Sequence, residues 1–336
     1  MKLVSYLDNS EQYQEGAEGK LGLLLDDALV VNLMETAPRY LAVAAISNNV
    51  PLTSLSTMRG LLEGGEAAQN FALDVAAWAD HHRSDVQTVS ITDVHLLAPV
   101  PKPPSMRDGY AFRQHVEAAR RNRGVEMIPE FDQFPVFYFT NPSSVSGPGD
   151  VEVMERHLER LDFELEAAVV IGKTGRNIKA SEADDYIFGY MVFNDWSARA
   201  MQMEEMKLSL GPAKGKDFAN TFGPWLATRD ELVDKRLAGE SGERYDLTMI
   251  GRVNGVEVSR GNLKDMTWTF AQIIERASYG ATLRAGDVIG SGTVGTGCFL
   301  ELNGSGITNQ WLGDGDEVEL EIDRLGTLKN RVVKVG

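Results

Sequence analysis

Two glutamates inside an apolar segment place the strongest constraint on how this chain can fold. In the sequence RLDFELEAAVVIGK, Glu164 and Glu166 precede a partly β-branched run that ends at Ile171, and this composition predicts a strand entering a hydrophobic core. Side chains two residues apart project from the same face of a strand, so the two carboxylates must lie side by side. Because burying them unpaired is costly, the fold needs a compensating positive charge.

A third acidic side chain ends a second apolar strand. Asp195 follows the apolar stretch from Ile187 to Phe193 in GYMVFNDWSAR, where it could add an oxygen atom to those of the two glutamates. Carboxylate oxygens are the ligands that Mg²⁺, Ca²⁺ and Mn²⁺ prefer, whereas zinc sites favour nitrogen and sulfur. The sequence therefore predicts a hard divalent cation near these residues.

The composition excludes several classes of partner. The chain has 336 residues and a net charge of −16, so neither nucleic acid nor an anionic membrane surface is expected as the main partner. We find neither a window of about 18 uncharged apolar residues for a membrane span nor an N-terminal apolar region suited to a signal peptide. The single cysteine, Cys298, indicates a reducing compartment and a buried apolar role. We therefore expect a cytoplasmic protein.

A proline-rich stretch predicts the division of the chain into two parts. PVPKPP, residues 99–104, is compatible with neither a helix nor a central strand, so it is the best candidate boundary. We expect a small N-terminal α/β domain over residues 1–98 and a catalytic domain over residues 99–336. In the N-terminal part, three short strands within residues 1–34 are followed by helices near 37–48 and 55–83.

The second part is predicted to be rich in strands. Its apolar runs, bounded by Gly and Asp turns, predict strands near 135–140, 163–171, 187–194, 223–228, 246–258, 286–293, 298–302 and 316–323. Many short strands with few crossover helices favour a mixed β-sheet or barrel over a doubly wound fold. The expected fold class is α+β and β-rich.

The segment RDGYAFRQH supplies a candidate ligand and a candidate base. We predict a helix near 108–121, in which Asp108 would be the N-cap. His115 lies seven residues on, two helical turns away and on the same face. A lone helical histidine is often a surface or core residue. As a general base, it would have to face a substrate held by the cation.

Two further charged residues and one glycine-rich loop admit two interpretations each. Lys216, in LGPAKGKDF, is either a solvated loop residue or compensates the carboxylates and holds an anionic group. Glu301 lies between two leucines in a predicted strand, so it is either at the surface or orients another side chain. Residues 290–297 lack the Lys-Ser/Thr of a phosphate-binding loop, which favours a tight loop approaching a ligand or the sheet.

Several ordered motifs resemble the fumarylacetoacetate hydrolase family over roughly Pro99 to Val333. The matching blocks are D-x-Y-x4-H at Asp108, Tyr110 and His115, E-x-E at Glu164 and Glu166, NDWSAR-x-x-Q at 194–202, LGP-x-x-GK-x-F at 210–218, GPW at 223–225, SGT at 291–293 and LEL at 300–302. The resemblance implies a mixed β-sheet and β-roll catalytic domain, a small N-terminal domain and a homodimer.

The resemblance also implies a role for each site residue. It makes Asp108, Glu164, Glu166 and Asp195 ligands of Mg²⁺, Ca²⁺ or Mn²⁺, His115 the general base oriented by Glu301, Lys216 a stabiliser of the oxyanion, and Tyr110, Arg199, Gln202 and Thr293 substrate-binding or supporting residues. Together these residues would form a metal site with a base beside it, which is an arrangement suited to enolate chemistry.

The implied activity is hydrolysis of a carbon–carbon bond in a 2,4-diketo acid or related β-diketone, of fumarylacetoacetate or acylpyruvate type, in aromatic-compound catabolism. The alternatives are an oxaloacetate-type decarboxylase, a 2-hydroxyhepta-2,4-dienedioate isomerase and a 2-oxo-alkenoate hydratase, which use the same metal–enolate chemistry. A non-enzymatic metal-binding protein is a third class. Retention of all four ligands together with a base argues against it.

The sequence departs from fumarylacetoacetate specificity at two positions. Met206 or Lys207 replaces a substrate-binding tyrosine of the family. The arginine that grips the distal carboxylate falls near Gly124, where Arg121 or Arg123 could substitute. These differences leave the chemistry intact and leave the acyl group of the substrate open.

Overall fold

The computed structural model describes residues 1–9, 17–122, 124–239 and 241–336, which form 23 strands and eight α-helices. The strands are β1 (Lys2–Asp8), β2 (Lys20–Leu25), β3 (Leu29–Asn32), β4 (Val89–Ser90), β5 (Val94–Leu96), β6 (Met106–Gly109), β7 (Phe137–Thr140), β8 (Val145–Ser146), β9 (Gly149–Val153), β10 (Leu161–Asp162), β11 (Leu165–Ile171), β12 (Gly175–Arg176), β13 (Ile187–Asp195), β14 (Ser197–Ala198), β15 (Asn220–Thr228), β16 (Arg236–Leu237), β17 (Arg244–Tyr245), β18 (Thr248–Val253), β19 (Val256–Asn262), β20 (Thr282–Leu283), β21 (Val288–Gly290), β22 (Glu317–Ile322) and β23 (Gly326–Lys334). The helices are α1 (Leu33–Ala44), α2 (Met58–Glu63), α3 (Gly65–His81), α4 (Arg113–Arg121), α5 (Ala180–Ala183), α6 (Arg199–Met206), α7 (Phe270–Ser278) and α8 (Phe299–Gly304).

A large mixed sheet organises the molecule. Its strand order is β4-β3-β2-β1-β15-β13-β11-β21-β6-β7, with β5 added to β1 and β8 added to β15. Most neighbours are antiparallel, whereas β21 and β6 run parallel. A second sheet has the order β19-β18-β22-β23-β9. The expected α+β, β-rich fold class is confirmed.

The central strands are apolar because both faces of the large sheet are covered. Every residue of β11 and β13 is buried, which explains their nearly continuous hydrophobic runs. Val169 packs in a core shared with Leu320 of the five-stranded sheet. Its neighbour Val170 points to the opposite face, into a core shared with Phe71 and Val75 of α3. The two cores fix the register of the sheet, because a slip by one residue would exchange the faces.

The large sheet includes strands from both sides of the proline-rich stretch. Near the N-terminus, Leu3 of β1 pairs with Leu226 of β15. The division into 1–98 and 99–336 stays a prediction. No helix among the described residues combines the length and apolarity needed to span a bilayer.

One predicted strand proves to be a hairpin. Residues 246–258 were expected to form a single strand, but β18 and β19 pair across a turn at Asn254 and Gly255. Both turn residues have positive φ, 51° and 76°. This is the backbone that an Asn-Gly pair adopts readily in a two-residue hairpin. The Asn-Gly signal is present in the sequence and explains the difference.

Two predicted elements around the site are wrong. Asp108 is not a helix N-cap, because it lies in β6 between β21 and β7, and helix α4 begins only at Arg113. Pairing on both sides of β6 outweighs the local helical pattern. Glu301 is not on a strand either, because it lies in helix α8. Both residues nevertheless line or support the cavity described next.

Candidate active site

Four carboxylates converge at one end of the large sheet. They come from β6, from β11 and the residue directly before it, and from the last residue of β13. In the large sheet these strands follow one another in the order β13-β11-β21-β6. One oxygen atom from each lies within 4.8 Å of those from the others, and all four residues are buried: Asp108, Glu164, Glu166 and Asp195. We call this set the carboxylate cluster. The alternation of the strand therefore projects Glu164 and Glu166 together, as predicted.

The glycine-rich loop after β21 closes one side of the carboxylate cluster. The backbone N–H of Gly292 donates to Asp108 Oδ1 at 3.1 Å and to Glu166 Oε2 at 2.9 Å. Gly292 has a φ of +79°, and a Cβ atom there would lie 2.7 Å from the carbonyl oxygen of Gly109. Only glycine fits this close approach. The Thr293 hydroxyl lies 3.5 Å from Glu166 Oε1, so this loop approaches the site, as one of its two interpretations proposed.

Two buried cationic side chains both donate hydrogen bonds to Glu164, and one of them also donates to Asp195. The ammonium of Lys216 donates to Glu164 Oε2 and, at 2.5 Å, to Asp195 Oδ2. The guanidinium of Arg199 donates to Glu164 Oε1 at 2.7 Å. Lys216 is therefore a buried counter-charge, and the solvated-loop interpretation is wrong.

The electrostatics of the carboxylate cluster are uneven. Burial raises the pKa of Glu164, but Lys216 and Arg199 outweigh it and hold this pKa well below its usual range. Burial raises the pKa of Asp195 to about 8 and the pKa of Asp108 to about 6. Burial, reinforced by Asp108, raises the pKa of Glu166 well above its usual value. The cations of the chain therefore compensate mainly Glu164 and leave the other three carboxyl groups short of positive charge.

The donor set fits a hard divalent cation. All four side chains offer oxygen atoms, and Asp195 Oδ1 is buried with no hydrogen-bond partner in the part of the chain that the structure describes. An unpaired buried carboxylate oxygen is costly unless another group binds it. A cation such as Mg²⁺ would satisfy this atom and the excess negative charge at the same time.

A histidine and a glutamate from two helices lie beside the carboxylate cluster. His115 Nδ1, on α4, is 2.7 Å from Glu301 Oε2, on α8, and both side chains are buried. The ring of Tyr110 packs edge-on against the imidazole, with 5.8 Å between ring centroids. We call His115 and Glu301 the His–Glu pair. Since Nδ1 faces a carboxylate, the neutral ring carries its proton there, and Nε2 is left as the basic atom.

Sequence analysis missed a buried aspartate that links the two parts of the site. Asp162 Oδ1 accepts from the Phe299 N–H at 2.7 Å and Oδ2 accepts from the Leu300 N–H at 2.9 Å, so it caps the N-terminus of α8. Oδ2 also accepts from Arg199 Nε at 2.9 Å. The signal was available, because Asp162 continues the alternating carboxylates of Glu164 and Glu166.

A tyrosine was missed as well. The hydroxyl of Tyr138, on β7, donates to Asp195 Oδ2 at 2.5 Å. Burial, followed by the charge of Asp195, raises the pKa of Tyr138 well above its ordinary value, so this group acts as a donor. Nothing in the run FPVFYFT distinguishes Tyr138 from a strand residue without a function.

Asp108 and Glu164 of the carboxylate cluster and His115 of the His–Glu pair line one cavity of about 820 Å³. Its polar end is lined by Asp108, Tyr110, His115, Glu164, Arg199, Gln202, Lys216 and Thr293, and its apolar part by Val136, Phe137, Met203, Met206, Leu300 and Trp311. Arg120 and Arg160 also line it. Of the arginines expected near the distal end, Arg121 is exposed and Arg123 lies outside the described residues.

Known proteins resemble this chain in sequence. The sequence profile described as fumarylacetoacetate (FAA) hydrolase C-terminal matches residues 105–333. The oxaloacetate tautomerase YisK of Bacillus subtilis is 31% identical over 321 residues, which are 93% of this chain and 95% of that protein. A fumarylacetoacetase of Arabidopsis thaliana is 35% identical over 197 residues, 48% of this chain and 47% of that protein.

A solved structure shows the same fold. A maleylpyruvate hydrolase from Sphingobium, in a complex with manganese(II) and pyruvate, aligns over 100% of both chains with a TM-score of 0.66 and 20% identity. The profile match over residues 105–333 shows that the chain belongs to the fumarylacetoacetate hydrolase family. The relatives named here are enzymes, both hydrolases and tautomerases.

Proposed function

We propose that this protein is a metal-dependent hydrolase that cleaves a carbon–carbon bond in a small 2,4-diketo acid or a related β-diketone. The observation that carries the proposal is the 2.7 Å hydrogen bond of the buried His–Glu pair, in the cavity that the carboxylate cluster also lines. Hydrolysis requires a positioned base that activates water beside a polarised carbonyl group. Membership of the family supports the same chemistry.

The carboxylate cluster would hold Mg²⁺, with Ca²⁺ or Mn²⁺ as alternatives, through its four carboxyl groups. When bound, the cation would supply Lewis-acid polarisation of the substrate's carbonyl oxygen atoms. Thr293 and Gly292 orient Glu166, and Arg199 orients Glu164, through the hydrogen bonds described above.

The His–Glu pair moves the proton. His115 Nε2 takes a proton from water, and the imidazolium is stabilised by Glu301 at Nδ1. The water oxygen forms a bond with the C4 carbonyl carbon, and the bond between C3 and C4 breaks. The proton on His115 then passes to C3, so that the products are a carboxylic acid and a 2-oxo acid.

Lys216 and Gln202 would stabilise the oxyanion that forms at C4. An ammonium has three N–H donors, of which Lys216 directs two to Glu164 and Asp195. Gln202 Oε1 accepts from Arg199 at 3.0 Å, which leaves its NH₂ group free to donate into the cavity. Such preorganised donors are worth about 10²- to 10³-fold in turnover.

The cavity indicates the kind of substrate. Its volume of about 820 Å³ and its apolar lining exceed what a four-carbon acid requires and suit a longer acyl group. Arg120 and Arg160 give the same cavity positive charge, which favours an acidic substrate. A homodimeric assembly, a cytoplasmic location and a role in aromatic-compound catabolism stay predictions.

The test is an ultraviolet assay of acetylpyruvate and fumarylacetoacetate with Mg²⁺ and then with EDTA. We expect metal-dependent loss of the enol absorbance with stoichiometric release of pyruvate or fumarate. In His115→Ala, turnover should fall by about 10²- to 10⁴-fold, whereas the matched variant His81→Ala, an exposed histidine of α3, should retain it. Absence of either cleavage product, with Mg²⁺ demonstrably bound, would overturn the proposal.

A second candidate is keto–enol tautomerisation of an oxaloacetate-type acid. It is favoured by the tautomerase YisK, which aligns over 93% of this chain. His115 would then transfer the proton between C3 and the enol oxygen, with no water consumed. Accelerated interconversion of oxaloacetate and its enol form, with all carbon atoms retained, would identify this reaction. Release of products with fewer carbon atoms would identify carbon–carbon cleavage instead.

A further inference from the structure

Three carboxylates occupy every second position of one segment, and each accepts hydrogen bonds from a different part of the site. Glu166 accepts from the backbone of Gly292 in the glycine-rich loop, and Glu164 accepts from the guanidinium of Arg199. Asp162 accepts from the first N–H groups of α8. Asp162 lies outside the carboxylate cluster, and the proposed mechanism gives it no step.

The carboxylate of Asp162 fixes the start of α8. Its side chain is fully buried, with 0% exposure, and each of its oxygen atoms accepts from one backbone N–H of the helix, at 2.7 Å from Phe299 and at 2.9 Å from Leu300. The residue at the N-cap position itself, Cys298, makes no capping hydrogen bond with its side chain. Because Glu301 directly follows Leu300, this cap holds the turn of α8 that carries the acidic member of the His–Glu pair.

The same carboxylate also holds a cationic side chain that contacts the carboxylate cluster. Asp162 Oδ2 accepts from Arg199 Nε at 2.9 Å, and both side chains are buried. The other two nitrogen atoms of this guanidinium donate to Glu164 Oε1 at 2.7 Å and to Gln202 Oε1 at 3.0 Å. A guanidinium is a rigid planar fork, so its three acceptors cannot move independently. Through Arg199, Asp162 therefore helps to determine where Glu164 lies.

We propose that Asp162 is a positioning residue, which holds the His–Glu pair where it can act on a substrate bound beside the carboxylate cluster. One buried side chain thereby influences both parts of the site, Glu301 through the backbone of α8 and Glu164 through Arg199. Catalysis depends steeply on such placement, because a misplacement of about 1 Å can reduce turnover by about 10²-fold. The role of Asp162 rests on the proposed role of His115 as the base.

The test is the substitution Asp162→Asn, which keeps the shape of the side chain but replaces one acceptor oxygen by an NH₂ group that can only donate. We expect turnover to fall by about 10²-fold and Mg²⁺ affinity to fall by about 10- to 100-fold. We also expect loss of the low-field proton NMR resonance of the hydrogen bond between His115 and Glu301, which His115→Ala identifies by its absence. This resonance reports the placement of the His–Glu pair without any turnover.

The matched control is Asp287→Asn. Asp287 is a second buried aspartate, which accepts from the Arg284 N–H at 2.8 Å and lies 3.9 Å from Nη1 of Arg107, but it does not belong to the described residues that line the cavity. This variant should retain turnover, Mg²⁺ affinity and the resonance. A comparable loss of all three in the control would indicate a general loss of packing and would overturn the positioning role.

A double variant separates positioning from damage to the fold, which circular dichroism monitors. If Asp162 acts through Glu301, the combination of Asp162→Asn with Glu301→Gln should have a turnover well above the product of the two single losses, measured at saturating Mg²⁺. The Mg²⁺ affinity of the double variant should equal that of Asp162→Asn. Multiplicative losses of turnover would overturn the proposal.

Arg199→Lys tests the two connections one at a time, and it serves also if Asp162→Asn does not fold. Lysine keeps the positive charge but lacks the fork, so Mg²⁺ affinity should fall by about tenfold, whereas the cap on α8 and the resonance should be retained. Wild-type Mg²⁺ affinity in Arg199→Lys would overturn the connection to Glu164.

The resonance and the Mg²⁺ affinity do not depend on which reaction the protein catalyses. If Asp162→Asn keeps both at wild-type values, the positioning role is wrong, whatever the wild type catalyses. If the wild type cleaves no diketo acid while Asp162→Asn loses both, the positioning role is supported and the hydrolase assignment is wrong.

Discussion

The carboxylate cluster and the His–Glu pair share one cavity but are built in opposite ways. The carboxylate cluster is carried by strands of one sheet, and burial raises the pKa of three of its four members. The His–Glu pair is carried by two short helices, and its partners satisfy each other. The carboxylate cluster carries an excess of negative charge that a further cation would compensate. The His–Glu pair needs no additional partner for the hydrogen bond that orients it. Binding of a metal and movement of a proton should therefore be separable by mutation.

Glu166→Gln should have the largest effect, because it removes a proposed ligand without changing the shape of the side chain. We expect Mg²⁺ affinity to collapse and turnover to fall by about 10³-fold or more, since a cation supplies several kcal/mol of transition-state stabilisation. Isothermal titration with Mg²⁺ and the ultraviolet assay measure the two quantities.

The matched control for this substitution is Glu152→Gln, an exposed glutamate on β9, which should change neither quantity. Since burial raises the pKa of Glu166, its removal should also raise the thermal midpoint of the metal-free protein near pH 8. Unchanged Mg²⁺ affinity in Glu166→Gln would remove this residue from the ligand set.

Glu301→Gln should affect proton movement alone. An amide neither stabilises the imidazolium nor fixes the proton on Nδ1 of His115, so turnover should fall by about 10²-fold or more. Mg²⁺ affinity should stay within about twofold of the wild type, because the carboxylate cluster keeps all its members. Glu301→Asp should recover part of the activity. A matching loss of Mg²⁺ affinity would show that the two parts of the site are not separable.

The stability of the metal-free protein should depend on pH in an unusual direction. The pKa of Asp195 is about 8 and that of Asp108 about 6 in the folded chain, whereas an unfolded aspartate titrates near 3.9. Between these values the folded chain binds more protons. The resulting stability is therefore fully present below about pH 4 and is lost as the pH rises through 6 and 8.

Thermal unfolding in EDTA from about pH 5 to about pH 9 measures this effect. We expect the midpoint to fall with pH, and to fall less in Asp195→Asn. With saturating Mg²⁺ the slope should reverse, because the bound cation favours the ionised carboxylates. A midpoint in EDTA that is level or rises with pH would contradict the uneven electrostatics of the carboxylate cluster.

Tyr138→Phe should have the smallest effect. It removes one hydrogen bond to Asp195 Oδ2 and leaves Lys216 as the remaining donor to that oxygen. A hydrogen bond to a charged group is worth at least about 1.5 kcal/mol, so Mg²⁺ affinity should fall by at least about tenfold, with a smaller change in turnover. A loss of Mg²⁺ affinity as large as that in Glu166→Gln would contradict this expectation and show that Tyr138 is essential for positioning Asp195.

The predictability of the two parts of the site differs for a physical reason. The geometry of Glu164 and Glu166 follows from strand periodicity, which is a property of neighbouring residues. The placement of Glu301 does not, because the N-terminus of α8 is capped by Asp162, far away in the chain. Cys298, at the N-cap position, contributes no capping hydrogen bond. Local sequence therefore favoured a strand where a distant side chain stabilises a helix.

The predictability of the strands also depends on whether local sequence or pairing with distant segments determines them. The α+β class and most strands could be predicted, because buried strands of a sheet covered on both faces are apolar throughout. The position of β6 could not, because Asp108 and its neighbours are extended only through pairing with β21 and β7. The family resemblance identified Asp108 and Glu301 as site residues even though the secondary structure predicted for both was wrong.

The cap that Asp162 places on α8 has a consequence for how the protein is made. During synthesis, a chain that has emerged only as far as Asp195 already contains the whole carboxylate cluster but neither α8 nor the partner of His115. Helix α8, which carries the partner of His115, is capped by the strand residue Asp162. The N–H groups that Asp162 binds belong to Phe299 and Leu300, near the end of the chain. The four carboxylate residues of such a chain are not yet assembled, because Asp108 takes its place in the sheet through pairing with β21. Both parts of the site are therefore completed only when residues 288–304 join the fold.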